Sequence, residues 1–100
     1  MNENNWTALH LAAYYGKEAV AAQLLQARAS VTAVNNSGLT PLHIAADYGK
    51  AQVVDLLLHA RASPTAVNKN GRTPAQWAEL GGHRDLAARL RQAEQAPSSM

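Results

Sequence analysis

The side chains in this sequence that could do chemistry are two histidines in matched strings, a serine, an aspartate and a glutamine, and their spacing limits what they can do. His10 and His43 stand 33 residues apart, in Thr-Ala-Leu-His-Leu-Ala-Ala (7–13) and Thr-Pro-Leu-His-Ile-Ala-Ala (40–46), and Gln76 takes the same place in Thr-Pro-Ala-Gln-Trp-Ala (73–78). Two histidines invite a metal ion. Equivalent positions of stacked helices lie ~8–10 Å apart, whereas the ligands of one zinc sit ~2 Å from it, so the pair cannot share an ion. Ser37, His43 and Asp47 can be drawn as a hydrolase triad, but Ser37 belongs to the turn Asn35-Asn-Ser-Gly38 and lacks the context of a nucleophile elbow. No catalytic residue is assigned. The sequence contains no cysteine, which excludes disulfides and cysteine-ligated zinc or iron–sulfur sites. Neither a metal nor a cofactor is expected.

The elements that carry these side chains follow from local chemistry. Thr7, Thr40 and Thr73 each stand where a hydroxyl can accept a hydrogen bond from a free N–H of a first helical turn. Pro41 and Pro74 follow at the first helical position, where a missing N–H costs nothing. Leu42, Ile44, Ala45 and Ala46 give the resulting short helix its buried side, and the small alanines let a second helix lie close. Gly16, Gly49 and Gly82, again 33 apart, end these helices, since a residue without Cβ takes the left-handed cap conformation without steric cost. Val20, Ala21, Leu24 and Leu25 recur on one face of a second helix antiparallel to the first. The segment from Ala27 to Val34, with its β-branched residues, suits an extended return that turns through Asn35-Asn-Ser-Gly38 into the next unit. The unit is helix, helix, hairpin.

A sustained period of 33 is the signature of a stacked array rather than of a globule built round one site. Thr-Pro-Leu-His-x-Ala at that period resembles the ankyrin repeat over about residues 2 to 97, and the chain is identified as a member of that family. The resemblance implies a mostly α ankyrin-repeat solenoid of antiparallel helix pairs joined by β-hairpin-like loops. Residues 1–100 form one domain with repeats at about 2–34, 35–67 and 68–97 and a short frayed tail at 97–100. The family's use of the histidine position implies that His10 and His43 tie neighbouring loops together by hydrogen bonds, with Gln76 making similar amide bonds. The resemblance also implies a protein-binding module without catalysis.

Composition narrows the partner. Net charge is +2 with pI near 9.3, but the nine basic residues are spread along the chain among seven carboxylates. Nucleic-acid binding wants them clustered on one face, so no nucleic acid is expected. No stretch approaches the ~20 apolar residues of a membrane span and the early apolar run is broken by His10, so neither a membrane span nor a signal peptide is expected. An intracellular protein, cytoplasmic or nuclear, is the expectation.

In ankyrin-like proteins the positions that touch partners are those that vary between repeats, at the hairpin tips and on the concave side. Here Trp6, Leu39 and Arg72 share one hairpin position, Asn36, Ser37, Lys69 and Asn70 lie at the tips, and Tyr14, Tyr15, Asp47 and Tyr48 close the first helices. Trp, Tyr and Arg are the types that most often anchor protein interfaces. These eleven residues are the expected contact set. Trp77 stands at the core position of Leu11 and Ile44 and is read as packing.

The ends differ from the middle. Glu79, Arg89 and Arg91 replace Ala46, Leu56 and Leu58, putting charge on a surface that an internal repeat would bury, so the array is expected to end there. The N-terminal face keeps Ala8, Leu11 and Ala21 apolar. A monomer is expected, and that face is the one place where a second copy could associate. It also suits the alternative readings of a regulatory or inhibitory part of a larger enzyme or channel, or of a scaffold or designed array without a natural partner.

One departure from the family is repeated. Where ankyrin-like repeats usually have Gly-Ala-Asp after the second helix, this chain has Arg28-Ala-Ser and again Arg61-Ala-Ser. If the backbone path is kept, each arginine holds a positive φ at a cost of ~1 kcal/mol relative to glycine. Either the arginines reach back to helix carbonyls and neighbouring side chains, or they form a short basic ladder for an acidic partner.

Overall fold

A computed structural model describes residues 5–95 of the chain, so the hairpin tip before Asn5 and the tail at 97–100 lie outside the described residues. Six helices follow one another: α1 (Ala8–Tyr15), α2 (Glu18–Gln26), α3 (Pro41–Asp47), α4 (Ala51–His59), α5 (Pro74–Leu80) and α6 (Arg84–Gln95). They form three antiparallel pairs. α1, α3 and α5 pack side by side as one layer, α2 lies against α4 behind them, and each second helix covers the first of its own pair. No strand is assigned among the described residues. The hairpin-like returns are instead held by single ladder bonds, Asn35 N–H to Leu39 C=O at 3.1 Å and Asn68 N–H to Arg72 C=O at 3.0 Å.

The first helices start where their caps put them. Thr7, Thr40 and Thr73 have extended backbones, and each hydroxyl accepts the N–H of the third helical residue, while that residue's side chain accepts the threonine's own N–H. Two otherwise unpaired donors are satisfied reciprocally at each start. The second helices begin without a side-chain cap at Lys17 and Lys50. Their position is set by the tight end of the helix before. At Gly49, φ is +68° and a Cβ would sit 2.7 Å from the His83 ring, so both conformation and space call for glycine.

The core is one continuous cluster in which Leu9, Leu42, Ile44, Val53, Val54, Leu57 and Leu90 are the large members. Ala12, Ala13, Ala45, Ala46, Ala75 and Ala78 lie almost wholly out of solvent between the first helices, and their small volume sets the close spacing of that layer. Trp77 packs against this cluster half-buried, with its ring edge-on to His43 at 6.2 Å.

Three positions depart from the expectations. Val20 is 46% exposed although its counterpart Val53 is 1% exposed. Val53 belongs to the core cluster, and Val20 does not. Leu39, expected at the contact surface, is only 7% exposed and joins the core. Being apolar, it turns inward where Trp6 stays half-buried and Arg72 exposed. Arg89, expected on the terminal face, reaches back to Asp55 of α4 with two bonds of 3.0 and 3.1 Å. Arg91 and Glu79 do pair with each other, in two bonds of 3.0 and 2.9 Å, and Arg91 holds the Glu79 carboxyl below the usual carboxylate range.

Candidate functional site

Four aromatic side chains meet at the N-terminal half of the first-helix layer. Tyr14 is their centre. Its ring lies edge-on to Tyr15 at 4.8 Å, to Tyr48 at 4.8 Å and to Trp6 at 5.8 Å, with interplanar angles of 87°, 78° and 83°. Trp6 also leans on the His10 ring at 5.8 Å. Edge-to-face pairs of this kind stabilise by ~0.5–1.5 kcal/mol beyond the area they bury, so the cluster is a rigid surface rather than a set of loose rings. Yet Tyr14, Tyr15 and Tyr48 keep 36%, 62% and 47% of their surface in solvent. The Tyr48 hydroxyl is pushed above the usual tyrosine value, first by loss of water around it and then by Tyr14 and Asp47 beside it.

Asp47 stands at the rim of this cluster, half-buried. Its carboxyl is raised by burial, an effect that the charge of His83 opposes. The His83 Nε2–H donates to the Asp47 backbone carbonyl at 3.0 Å, which ties the turn between α5 and α6 to the end of α3.

The polar part of the surface is held by the hairpins. The buried Asn35 accepts the N–H groups of Ser37 and Leu39 on its Oδ1, at 2.9 and 3.0 Å. Asn68 does the same for Asn70 and Arg72, at 2.9 and 3.1 Å. Successive hairpins are joined by Lys69 N–H to Ser37 C=O at 3.1 Å and by Asn5 Nδ2–H to Asn36 Oδ1 at 2.8 Å. The tips therefore stand in fixed register, with Asn36, Ser37, Lys69, Asn70 and Arg72 exposed. Toward the C-terminal end, Arg72, Gln76, Glu79 and Leu80 line a shallow depression of about 280 Å³. Leu80, 33 positions after Asp47 and at the same end of its first helix, belongs to this surface.

His10 and His43 lie under this layer and out of solvent. Nδ1 accepts the backbone N–H of Thr7 at 3.1 Å or of Thr40 at 3.2 Å, and Nε2 faces the carbonyl of Leu39 or Arg72 at 2.8 Å in each case. An N–H can only donate and a carbonyl can only accept, so both rings carry their proton on Nε2. Burial lowers both imidazoles below the ordinary histidine value, and the carbonyl bonds offset part of that. With both nitrogens of His43 engaged, the ring has no atom left to act as a base for Ser37. Gln76 forms the bond to Thr73 N–H at 2.9 Å. Among the described residues no group of three or more histidine and carboxylate side chains could hold a metal.

Three stacked pairs with a Thr-capped first helix, a histidine bond to the next hairpin and tips in register match one known architecture. The family model "Ankyrin repeats (3 copies)" fits residues 1–68 and 23–98. The chain belongs to the ankyrin-repeat family. No curated protein is significantly similar to it in sequence. Ankyrin repeats are in general protein–protein interaction modules and typically non-catalytic, and the rigid, partly exposed aromatic cluster of this ankyrin domain lies on its first-helix and hairpin side. No helix among its described residues is long and apolar enough to cross a membrane.

Proposed function

We propose that this ankyrin domain is a non-catalytic module that binds a partner protein through its hairpin tips and concave first-helix surface. The binding unit is the whole domain of residues 1–100, with repeats at about 2–34, 35–67 and 68–97. The observation that carries the reading is the cluster of Trp6, Tyr14, Tyr15 and Tyr48, whose rings lock one another while keeping much of their area in water. Large rigid side chains that are already ordered lose little entropy on binding, which is why such groups dominate interface energetics. Asn36, Ser37, Asp47, Lys69, Asn70 and Arg72 supply the polar rim, and Leu80 extends the apolar part.

The domain acts as a monomer inside the cell, in the cytoplasm or nucleus, in keeping with the absence of cysteine from its sequence. A second reading is favoured by the exposed Leu11 and Val20, which give the N-terminal face an apolar character that another module of a larger regulated protein would cover. Affinity capture from cell extract with the wild-type domain, set beside the Trp6→Ala/Tyr14→Ala variant, tests the first reading. Partners retained by the wild type and lost by the variant are expected. Equal capture by the two proteins would show that the aromatic surface is not the contact, and sedimentation of Leu11→Glu against the wild type shows whether the N-terminal face associates.

A further inference from the structure

The back of the solenoid carries a second, unlike surface. α2 and α4 run side by side there, and between their C-terminal halves lies an open groove of about 310 Å³ lined by Ala22, Leu25, Gln26, Leu56, His59 and Ala60. Its floor is apolar. At its C-terminal end both helices finish in the same way. Arg28 and Arg61 occupy left-handed backbone conformations, with φ of +66° and +70°, and among the described residues the other left-handed positions are Asn5 and five glycines.

An arginine held where glycine would be unstrained needs a reason, and hydrogen bonding from its side chain to the helix end is not that reason. The carbonyls at the ends of α2 and α4 are already satisfied by backbone donors: Arg28 N–H to Leu25 at 3.0 Å and Ala29 N–H to Leu24 at 2.9 Å, then Arg61 N–H to Leu58 at 3.0 Å and Ala62 N–H to Leu57 at 2.9 Å. Any residue's N–H makes those bonds. Among the described residues, neither guanidinium forms a hydrogen bond or an ion pair, and both residues are exposed. What distinguishes arginine from glycine at these two positions is thus a charge that makes no bond within the described residues, and backbone strain kept at two equivalent exposed positions points to function.

The charge balance near the groove has one sign. Asp55, the only carboxylate on α4, is engaged by Arg89 in two bonds, and the only carboxylate on α2 is Glu18, at the opposite end of that helix. A floor of alanine and leucine, with an unengaged arginine two residues after Gln26 and another directly after Ala60, complements a carboxylate-bearing chain that also has apolar side chains. We infer that the groove between α2 and α4 is a docking surface for an acidic peptide segment of another protein, whose apolar side chains enter the groove while its carboxylates pair with Arg28 and Arg61. The surface lies apart from the aromatic cluster, on the other helix layer. A nucleic-acid backbone would meet the charges but leave the apolar floor uncovered, so the acidic peptide is the better match.

The test is an amide chemical-shift titration of the full chain with a short synthetic peptide of alternating glutamate and leucine. Three companions are run: the same peptide with serine for leucine, a lysine–leucine peptide, and single-stranded oligothymidine. The expected result is that the glutamate–leucine peptide shifts the amides of Leu25, Leu56 and Ala60, with an affinity that falls as salt rises. It should bind the Arg28→Gly/Arg61→Gly variant about tenfold (1.4 kcal/mol) more weakly and the Trp6→Ala/Tyr14→Ala variant equally well. Glycine is compatible with both left-handed positions, and an unchanged or higher melting temperature of the variant shows that its fold is intact. Four outcomes would overturn the inference: no shift at the groove, equal affinity for the arginine variant, tighter binding of the serine or lysine peptide, or tighter binding of the oligonucleotide.

Discussion

Acidification below neutrality should destabilise this domain, because two neutral histidines are built into its core. His10 and His43 are out of solvent, and burial lowers both imidazoles below the value of 6.5 that they have in the unfolded chain. Below pH 6.5 the unfolded state therefore binds protons that the folded state resists. The stability these rings contribute is complete above 6.5 and is lost progressively as pH falls toward the lowered folded values. In that window each group can change the unfolding free energy by at most about 1.4 kcal/mol per pH unit, so the two together set an upper limit of about 2.7 kcal/mol per unit. A proton on Nδ1 would also face the N–H of Thr7 or Thr40, turning an accepted bond into an opposition of two donors. Urea denaturation followed by circular dichroism from about pH 8 to about pH 5 measures the slope, against which Asp47, raised by burial, acts in the opposite sense. The control is His10→Gln/His43→Gln, since Gln76 shows that glutamine sustains the bond to the threonine N–H. The carbonyls of Leu39 and Arg72 keep a second donor in Asn35 and Asn68, so each replacement should cost only ~0.5–1.5 kcal/mol at neutral pH. A wild-type stability that is flat from pH 7 to 5, or an equal slope in the double variant, would refute the assignment.

Replacing Trp6, Tyr14 or Tyr48 with alanine should weaken partner binding by ~1–3 kcal/mol with the fold intact, as measured by calorimetric titration against a captured partner. Leu57→Ala removes a side chain with no solvent exposure at the junction of α4 with the core and should lower stability by ~2–5 kcal/mol in urea denaturation. Gly49→Ala places a Cβ at positive φ and 2.7 Å from the His83 ring, and a loss of ~1–3 kcal/mol is expected by thermal melting. Removing residues 68–100 takes away α5 and α6, uncovers the side of α3 that packs on α5, and should abolish cooperative unfolding. A two-pair fragment that melts sharply would show that the pairs do not depend on one another.

The fold was legible because its determinants are local and repeated. A threonine hydroxyl, a proline and a glycine fix where each first helix starts and stops through bonds that span only a few residues, and a period of 33 then dictates that the units stack. The site was legible only in part, because burial is a property of neighbours rather than of a position in a repeat. Trp6, Leu39 and Arg72 hold one position, yet the first is half-buried, the second is in the core and the third is exposed. An apolar side chain there gains by turning inward, whereas a guanidinium cannot leave water unpaired. Val20 and Val53 show the converse, since one residue type at one repeat position is half exposed in the first pair and buried in the second. Asn35 and Asn68 were visible as a repeating pair without their role being visible, because accepting two N–H groups from the hairpin depends on where the chain returns. The same reasoning bears on Arg28 and Arg61. Sequence showed that glycine was absent from a position that favours it, and only the hydrogen-bond arrangement shows that the backbone closes the helix by itself, which leaves the two charges to act on something outside the chain.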